Sequence, residues 1–190
     1  MLSSLLELDR AAFLAINNGL SHPWLNTICL VFRNQSTWYP MYALVIYFLV
    51  RTYKKESWKI LLAAALMVFV TDQFSANLVK NTFMRLRPCV EPLLAGKVIH
   101  LTGSCNGYSF ISAHATNHFA IAMFVYQTLR SRFSWWGIAF LWAGLISYAQ
   151  IYVGVHYPAD ILGGALLGSF AGFIAARLFN HQTGLGLTNE

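Results

Sequence analysis

Three short polar islands carry the residues of this chain that could do chemistry: Lys80 through Arg87-Pro88, Ser112-Ala113-His114, and His156 with Asp160. Two cations, two histidines, a hydroxyl and a carboxylate are the parts of a site that grips an oxyanion and moves protons around it. Lys80 offers a point charge, and Arg87 a planar fork that matches two oxygens of a phosphate. Ser112 adds a hydroxyl, and the backbone N–H groups from Ala113 onward add the positive end of a helix dipole. Of the histidines, one can attack phosphorus as neutral imidazole while the other gives a proton to the departing group. His156 is the better nucleophile, because Asp160 can accept from its other ring nitrogen and fix its tautomer. His114 is then the acid, and His118, one turn further on, reads as a structural group.

The elements that must position these islands are membrane helices. Apolar residues make up 57% of the 190 residues and charged ones 11%, against about a quarter charged in soluble proteins. Mean hydropathy is +0.51. Since a bilayer core needs about 20 apolar residues per helix, the expected fold is all-α. It is a polytopic bundle of five to six transmembrane helices, forming a single domain over residues 1–190. The +6 charge comes without a run of basic residues interleaved with aromatics, which excludes nucleic-acid binding. The first residues, Met1 to Glu7, show no basic region and no small-residue cleavage site, so no removable signal is expected.

Residues 5–16 have helical spacing with Glu7, Asp9 and Arg10 among the apolar positions, which predicts an N-terminal interfacial helix. Asn17-Asn18-Gly19 ends it, and Trp24 to Phe32 is too short to cross alone. The expected spans are Trp38 to Val50, Trp58 to about Phe83, Ala115 to Leu129, Trp135 to about Val153, and Pro158 to Phe179. Basic residues follow the first, third and fifth of these: Arg51, Lys54, Lys55 and Lys59, then Arg130 and Arg132, then Arg177. The positive-inside rule makes those ends cytoplasmic. All three islands then face a periplasm or the exterior from an inner (plasma) membrane. Glycines 163, 164, 168 and 172 have the small-xxx-small spacing of a close helix contact.

Within the second span, Gln73, Asn77 and Lys80 recur at one helical face, expected to point into the bundle, and Asp72 lies beside them. Asp72 reads first as an interhelical hydrogen-bond partner. Cys29 sits in an apolar segment, whereas Cys89 and Cys105 flank the long outward loop and are expected to form a disulfide. Closing about 15 residues would stabilise by around 3 kcal/mol. No cysteine or histidine pattern of a zinc site supports metal binding.

Lys80-Asn-Thr-Phe-Met-Arg-Leu-Arg87-Pro88 matches KxxxxxxRP, Phe110-Ile-Ser112-Ala-His114 is similar to (P)SGH, and Tyr152-Val-Gly-Val-His156-Tyr-Pro-Ala-Asp160 is similar to the end of SRxxxxxHxxxD. Over about residues 58–180 the chain thus resembles the type 2 phosphatidic acid phosphatase superfamily, which also contains vanadium haloperoxidases. The resemblance implies phosphate binding by Lys80, Arg87 and Ser112 and by the backbone at Ala113. It implies His114 as general acid, His156 as nucleophile, Asp160 as its orienter, and no metal or other cofactor. Ile111 and Ala113 replace a proline and a glycine. Gln150 stands where the third motif has its arginine, and Ala149 where it has serine. Glutamine can donate to a phosphate oxygen but brings no charge, a deficit of about 1.5 to 3 kcal/mol. Arg85 is the nearby candidate to compensate.

The expected function is an integral-membrane lipid phosphatase acting through a phosphohistidine. Its substrate and surroundings are a lipid phosphate and the bilayer. Short length suggests undecaprenyl diphosphate as that substrate, with phosphatidylglycerophosphate, phosphatidate and lipid A phosphates as alternatives. A transporter is the competing class, and a catalytically degenerate member is the reading that Gln150 suggests. A transporter would gather its polar residues near the bilayer midplane, whereas here they cluster at helix ends.

Overall fold

A computed structural model describes residues 2–184; Met1 and residues 185–190, the two ends of the expected single domain, lie outside them. The described residues form helices and turns with no strand. In order they are α1 (Leu2–Asn17), α2 (Pro23–Arg33), α3 (Tyr39–Tyr53), α4 (Ser57–Gln73), α5 (Lys80–Phe83), α6 (Ala113–Leu129), α7 (Ile138–Tyr152) and α8 (Pro158–Thr183). α4 and α5 are one rod joined by a π-helical turn, Phe74–Val79. Local sequence sets the boundaries. Pro23 and Pro158 open α2 and α8, where a proline lacks only an N–H that has no helical partner. Met84, in the left-handed conformation, closes α5.

Polarity is turned outside in. Leu44, Leu66, Phe69, Leu141, Leu166 and Phe170 are exposed on the outer faces, while Ser75, Thr116, Gln150 and Asp160 are buried. Such a surface suits hydrocarbon rather than water, which would leave large apolar side chains unburied. By length and composition, two helical stretches pass as membrane spans: one within Gln35–Leu94, which holds α3 to α5, and Pro158–Thr183. α3, α4 with α5, α6, α7 and α8 coincide with the five expected apolar segments to within a few residues.

The bundle is organised around α6 and α8. A Cβ at Gly168 would overlap the Thr116 carbonyl of α6, and one at Gly164 would lie 2.7 Å from the Ser112 carbonyl oxygen. The two backbones can approach that closely only where side chains are missing. One apolar cluster, with Leu49, Ile60, Phe124, Leu129, Trp136 and Phe179, fills the end carrying the basic turns. A second, with Phe13, Leu94, Ala115, Ile151, Tyr157 and Ile161, fills the end carrying the islands.

Two expectations change. α1 does more than lie at an interface: Phe13 is fully buried, and Asn17 donates to the Ile99 and Tyr152 carbonyls at 2.8 and 2.7 Å. The polar face of the second span also divides. Gln73 and Asn77 are exposed and bond to one another at 2.7 Å. The π-helical turn between Gln73 and Lys80 is the reason, since its i→i+5 bonding breaks the 3.6-residue phase that put all three on one face. Asp72 instead accepts from Asn117 of α6 at 2.9 Å, the interhelical bond expected of it.

Gly168→Val is expected to destabilise the bundle by at least about 1 to 3 kcal/mol through overpacking against Thr116. A thermal-unfolding midpoint in detergent unchanged from wild type would contradict the close α6–α8 contact.

Candidate active site

At the island end a cavity of about 240 Å³ is lined by Arg33, Lys80, Arg87, Ala113, His114, Gln150 and His156, with Ser104, Asn106 and Val155 completing it. A larger cavity, about 730 Å³, lies at the opposite end beside Arg130 and Arg177. The smaller one is lined by His156, whose ring faces the Asp160 carboxylate, and by residues of all three islands, so the chemistry belongs there.

His156 sits in the short turn between α7 and α8 and is 2% exposed. Its Nδ1 faces the Asp160 carboxylate at 3.4 Å, and its Nε2 faces the Arg87 guanidinium at 3.3 Å. A guanidinium can only donate. Nε2 must therefore present its lone pair, and the proton belongs on Nδ1 toward Asp160, the tautomer that a nucleophilic Nε2 requires. Burial pushes the imidazole pKa below its ordinary value, opposed by the bond and charge of Asp160, with Arg87 and Lys80 lowering it further. The ring is thereby kept neutral at pH 7.

Asp160 is fully buried and its oxygens are shared. It accepts from the Tyr157 backbone N–H and from Arg85, both at 2.8 Å. Arg85 also pairs with Asp9 of α1 and lies over the Tyr157 ring, 3.9 Å from its centroid. Arg85, expected as a possible support for Gln150, is not among the residues lining the cavity; two carboxylates and an aromatic face hold it.

Ser112 sits at the N-terminus of α6. Its hydroxyl caps α6 by accepting from the Ala115 N–H at 3.4 Å, its N–H donates to the Asp160 carbonyl, and it is fully buried outside the cavity lining. The serine orients the helix N-terminus, and Ala113 and His114 present that end to the cavity. His118 is the structural group expected, its Nδ1 2.7 Å from the His114 carbonyl oxygen and its ring against Trp142.

Cys89 and Cys105 are joined as a disulfide, with Cα atoms 6.3 Å apart. The bridge pins the loop on which Ser104 and Asn106, the neighbours of Cys105, reach the cavity. Those two polar residues gave no signal in the sequence beyond their place beside a cysteine.

Three buried nitrogens around this cavity have no hydrogen-bond partner: Nε of Arg33, Nε of Arg87 and Nε2 of Gln150. Buried donors are normally paired, and a cluster of orphans together with Lys80 makes a receptor for an anion with several acceptor oxygens. Arg33 escaped the sequence reading because it belongs to none of the three islands. Its signal was there: an arginine ending an apolar segment, apart from the basic groups at 51–59, 130–132 and 177.

Comparison with known proteins agrees with this geometry. The PAP2 superfamily matches residues 56–183. Two proteins named lipid A 4'-phosphatase are each 34% identical to the chain. The one from Porphyromonas gingivalis aligns with 92% of this chain and 74% of its own length; the one from Bacteroides thetaiotaomicron, with 94% and 81%. A protein named undecaprenyl-diphosphatase, from Sulfolobus acidocaldarius, is 35% identical over 37% of this chain and 34% of its own. The crystal structure of Aquifex aeolicus LpxE superposes with a TM-score of 0.63 at 31% identity, covering 90% of this chain and 94% of that one. The fold, the three motifs around one cavity and these likenesses together show that the chain belongs to the PAP2 superfamily.

Proposed function

We propose that this membrane lipid phosphatase removes a phosphate monoester from a lipid A-type glycolipid through a phosphohistidine on His156. The observation that carries the reading is the set of unpartnered buried donors on residues lining the same cavity as His156. Lys80, Arg87, Gln150 and the N–H groups at Ala113 hold the phosphate oxygens. Nε2 of His156 forms a bond to phosphorus as the ester P–O bond breaks, and His114 passes its proton to the leaving sugar oxygen. His114, now neutral, takes a proton from water, which attacks phosphorus and breaks the P–N bond. Inorganic phosphate leaves, and both histidines return to their starting states. An incoming phosphate dianion favours the protonated form of His114, which otherwise lies among the cations lining the cavity. The protein cations supply the charge neutralisation, so the cycle uses no metal.

The glycolipid substrate is favoured by the relatives that match nearly the whole chain, since both are named for lipid A. Undecaprenyl diphosphate, which short length suggested, is favoured by a relative matching about a third of the chain and by another that covers 83% of it at a lower identity, 28%. Five crossings of the inner membrane, with basic turns cytoplasmic, direct the cavity to the periplasm. A single domain is supported by the close α6–α8 contact, and Asp72 serves packing through Asn117.

Phosphate release without added metal, across lipid A, undecaprenyl diphosphate, phosphatidylglycerophosphate and phosphatidate, tests the substrate. Lipid A is expected to be turned over at least tenfold faster than the others, and equal or faster turnover of undecaprenyl diphosphate would reverse the choice. His156→Ala is expected to abolish release while the thermal midpoint stays near wild type; an active variant would remove the nucleophile. Because burial depresses the His156 pKa, the acid limb of kcat/KM should lie below the ordinary histidine value of about 6.5. Asp160 raises that pKa, so Asp160→Asn should move the limb to lower pH in whatever activity remains. A limb set by substrate ionisation would not move.

A further inference from the structure

Gln150 leaves the third motif without its charge, yet the cavity does not lack a third cation. Arg33, the last residue of α2, lines it together with Gln150, Lys80 and Arg87. α2 packs along α7, the helix that carries Gln150, so the two residues approach the cavity from neighbouring helices. We propose that Arg33 is the third phosphate-binding cation and occupies, from α2, the role that an arginine at position 150 would fill. The inference rests on the phosphatase reading of this cavity and assigns to that site a residue outside all three motifs.

Five observations carry it. Nε of Arg33 is buried with no partner, as are Nε of Arg87 and Nε2 of Gln150 at the same cavity. Among the described residues Arg33 forms no ion pair with a carboxylate, whereas Arg85 has two. An interfacial arginine that merely anchors a helix extends its head to water, but here the side chain is partly buried and turned to the cavity. Its backbone is also held firmly. Asn34 accepts from the Ser36 N–H at 3.1 Å, and Trp38 donates its indole N–H to the Phe32 carbonyl at 2.8 Å. Like-charge influence of Arg33 on Arg87, after burial the main cause lowering that guanidinium's pKa, agrees with their nearness.

The chemistry explains why a glutamine is tolerated. A guanidinium at the C-terminus of α2 is favourably placed against that helix dipole even without substrate. A third arginine, at position 150, would add a like charge to a cavity that already holds Arg33, Arg87 and Lys80. Glutamine keeps a donor for a phosphate oxygen and removes that repulsion.

The experiment is a charge exchange on the full chain in detergent, reading kcat/KM with the best lipid phosphomonoester and the affinity for inorganic phosphate by calorimetry. Arg33→Gln should lower kcat/KM by about 10- to 100-fold, the weight of one charge-assisted hydrogen bond, with matching loss of phosphate affinity. Arg33→Gln combined with Gln150→Arg should recover at least tenfold over Arg33→Gln alone. Gln150→Arg alone should bring no gain. The inference is overturned if Arg33→Gln stays within twofold of wild type, if the folded double variant recovers nothing, or if Gln150→Arg alone raises activity. Should Arg33→Gln misfold, that last single variant and Arg33→Lys, expected to retain most phosphate affinity, still decide. Phosphate affinity separates the two readings: a wild type that binds phosphate through Arg33 but hydrolyses no lipid would sink the phosphatase function and leave this assignment standing.

Discussion

One buried carboxylate holds the catalytic end together. Asp160 has no exposure to solvent, and a charge so placed must be paired or the fold loses several kcal/mol. Its side-chain partners come from two parts of the chain: the adjacent His156 and Tyr157 N–H of the third motif, and Arg85 from the first. Arg85 extends the network to Asp9 of α1, whose other oxygen accepts from the Ala159 N–H. The Ser112 N–H, from the second motif, donates to the Asp160 carbonyl. Three sequence motifs and the N-terminal helix are thus tied to one residue, and the orientation of His156 follows from the same bonds.

Against that tight, neutralised network stands a cavity with the opposite electrostatics. Arg33, Lys80 and Arg87 converge there with orphaned donors. Mutual repulsion between them is an energetic cost that the packing of the rest of the bundle must offset. A phosphate would relieve that repulsion on binding and more so as negative charge redistributes toward the transition state. Local instability at a site and affinity for its ligand here have one origin.

Much of this was legible in the sequence. The long apolar segments gave the helices because hydrocarbon forces every backbone group to bond within its own segment, and residue type and order gave the three islands. What escaped depended on tertiary placement. Arg85 and Arg87 are two residues apart and alike in chemistry, yet one is locked to Asp9 and Asp160 while the other faces His156. Ser112 looked like a donor to substrate, and its hydroxyl oxygen also caps α6, a second role visible only in the structure. The π-helical turn could not be read from composition and upset the phase of Gln73 and Asn77. Arg33 lies 47 residues before Lys80 in sequence, and only the packing of α2 on α7 brings it to the site.

The central claim is that phosphorus becomes bonded to Nε2 of His156 during turnover. Rapid alkaline quenching of the enzyme with its lipid phosphomonoester, followed by mass spectrometry of the peptide containing His156, tests it most directly. An acid-labile phosphate on His156 that forms and decays at rates compatible with turnover is the predicted result. Phosphate release with no phosphorylated histidine, or with the label on His114 instead, would contradict the account.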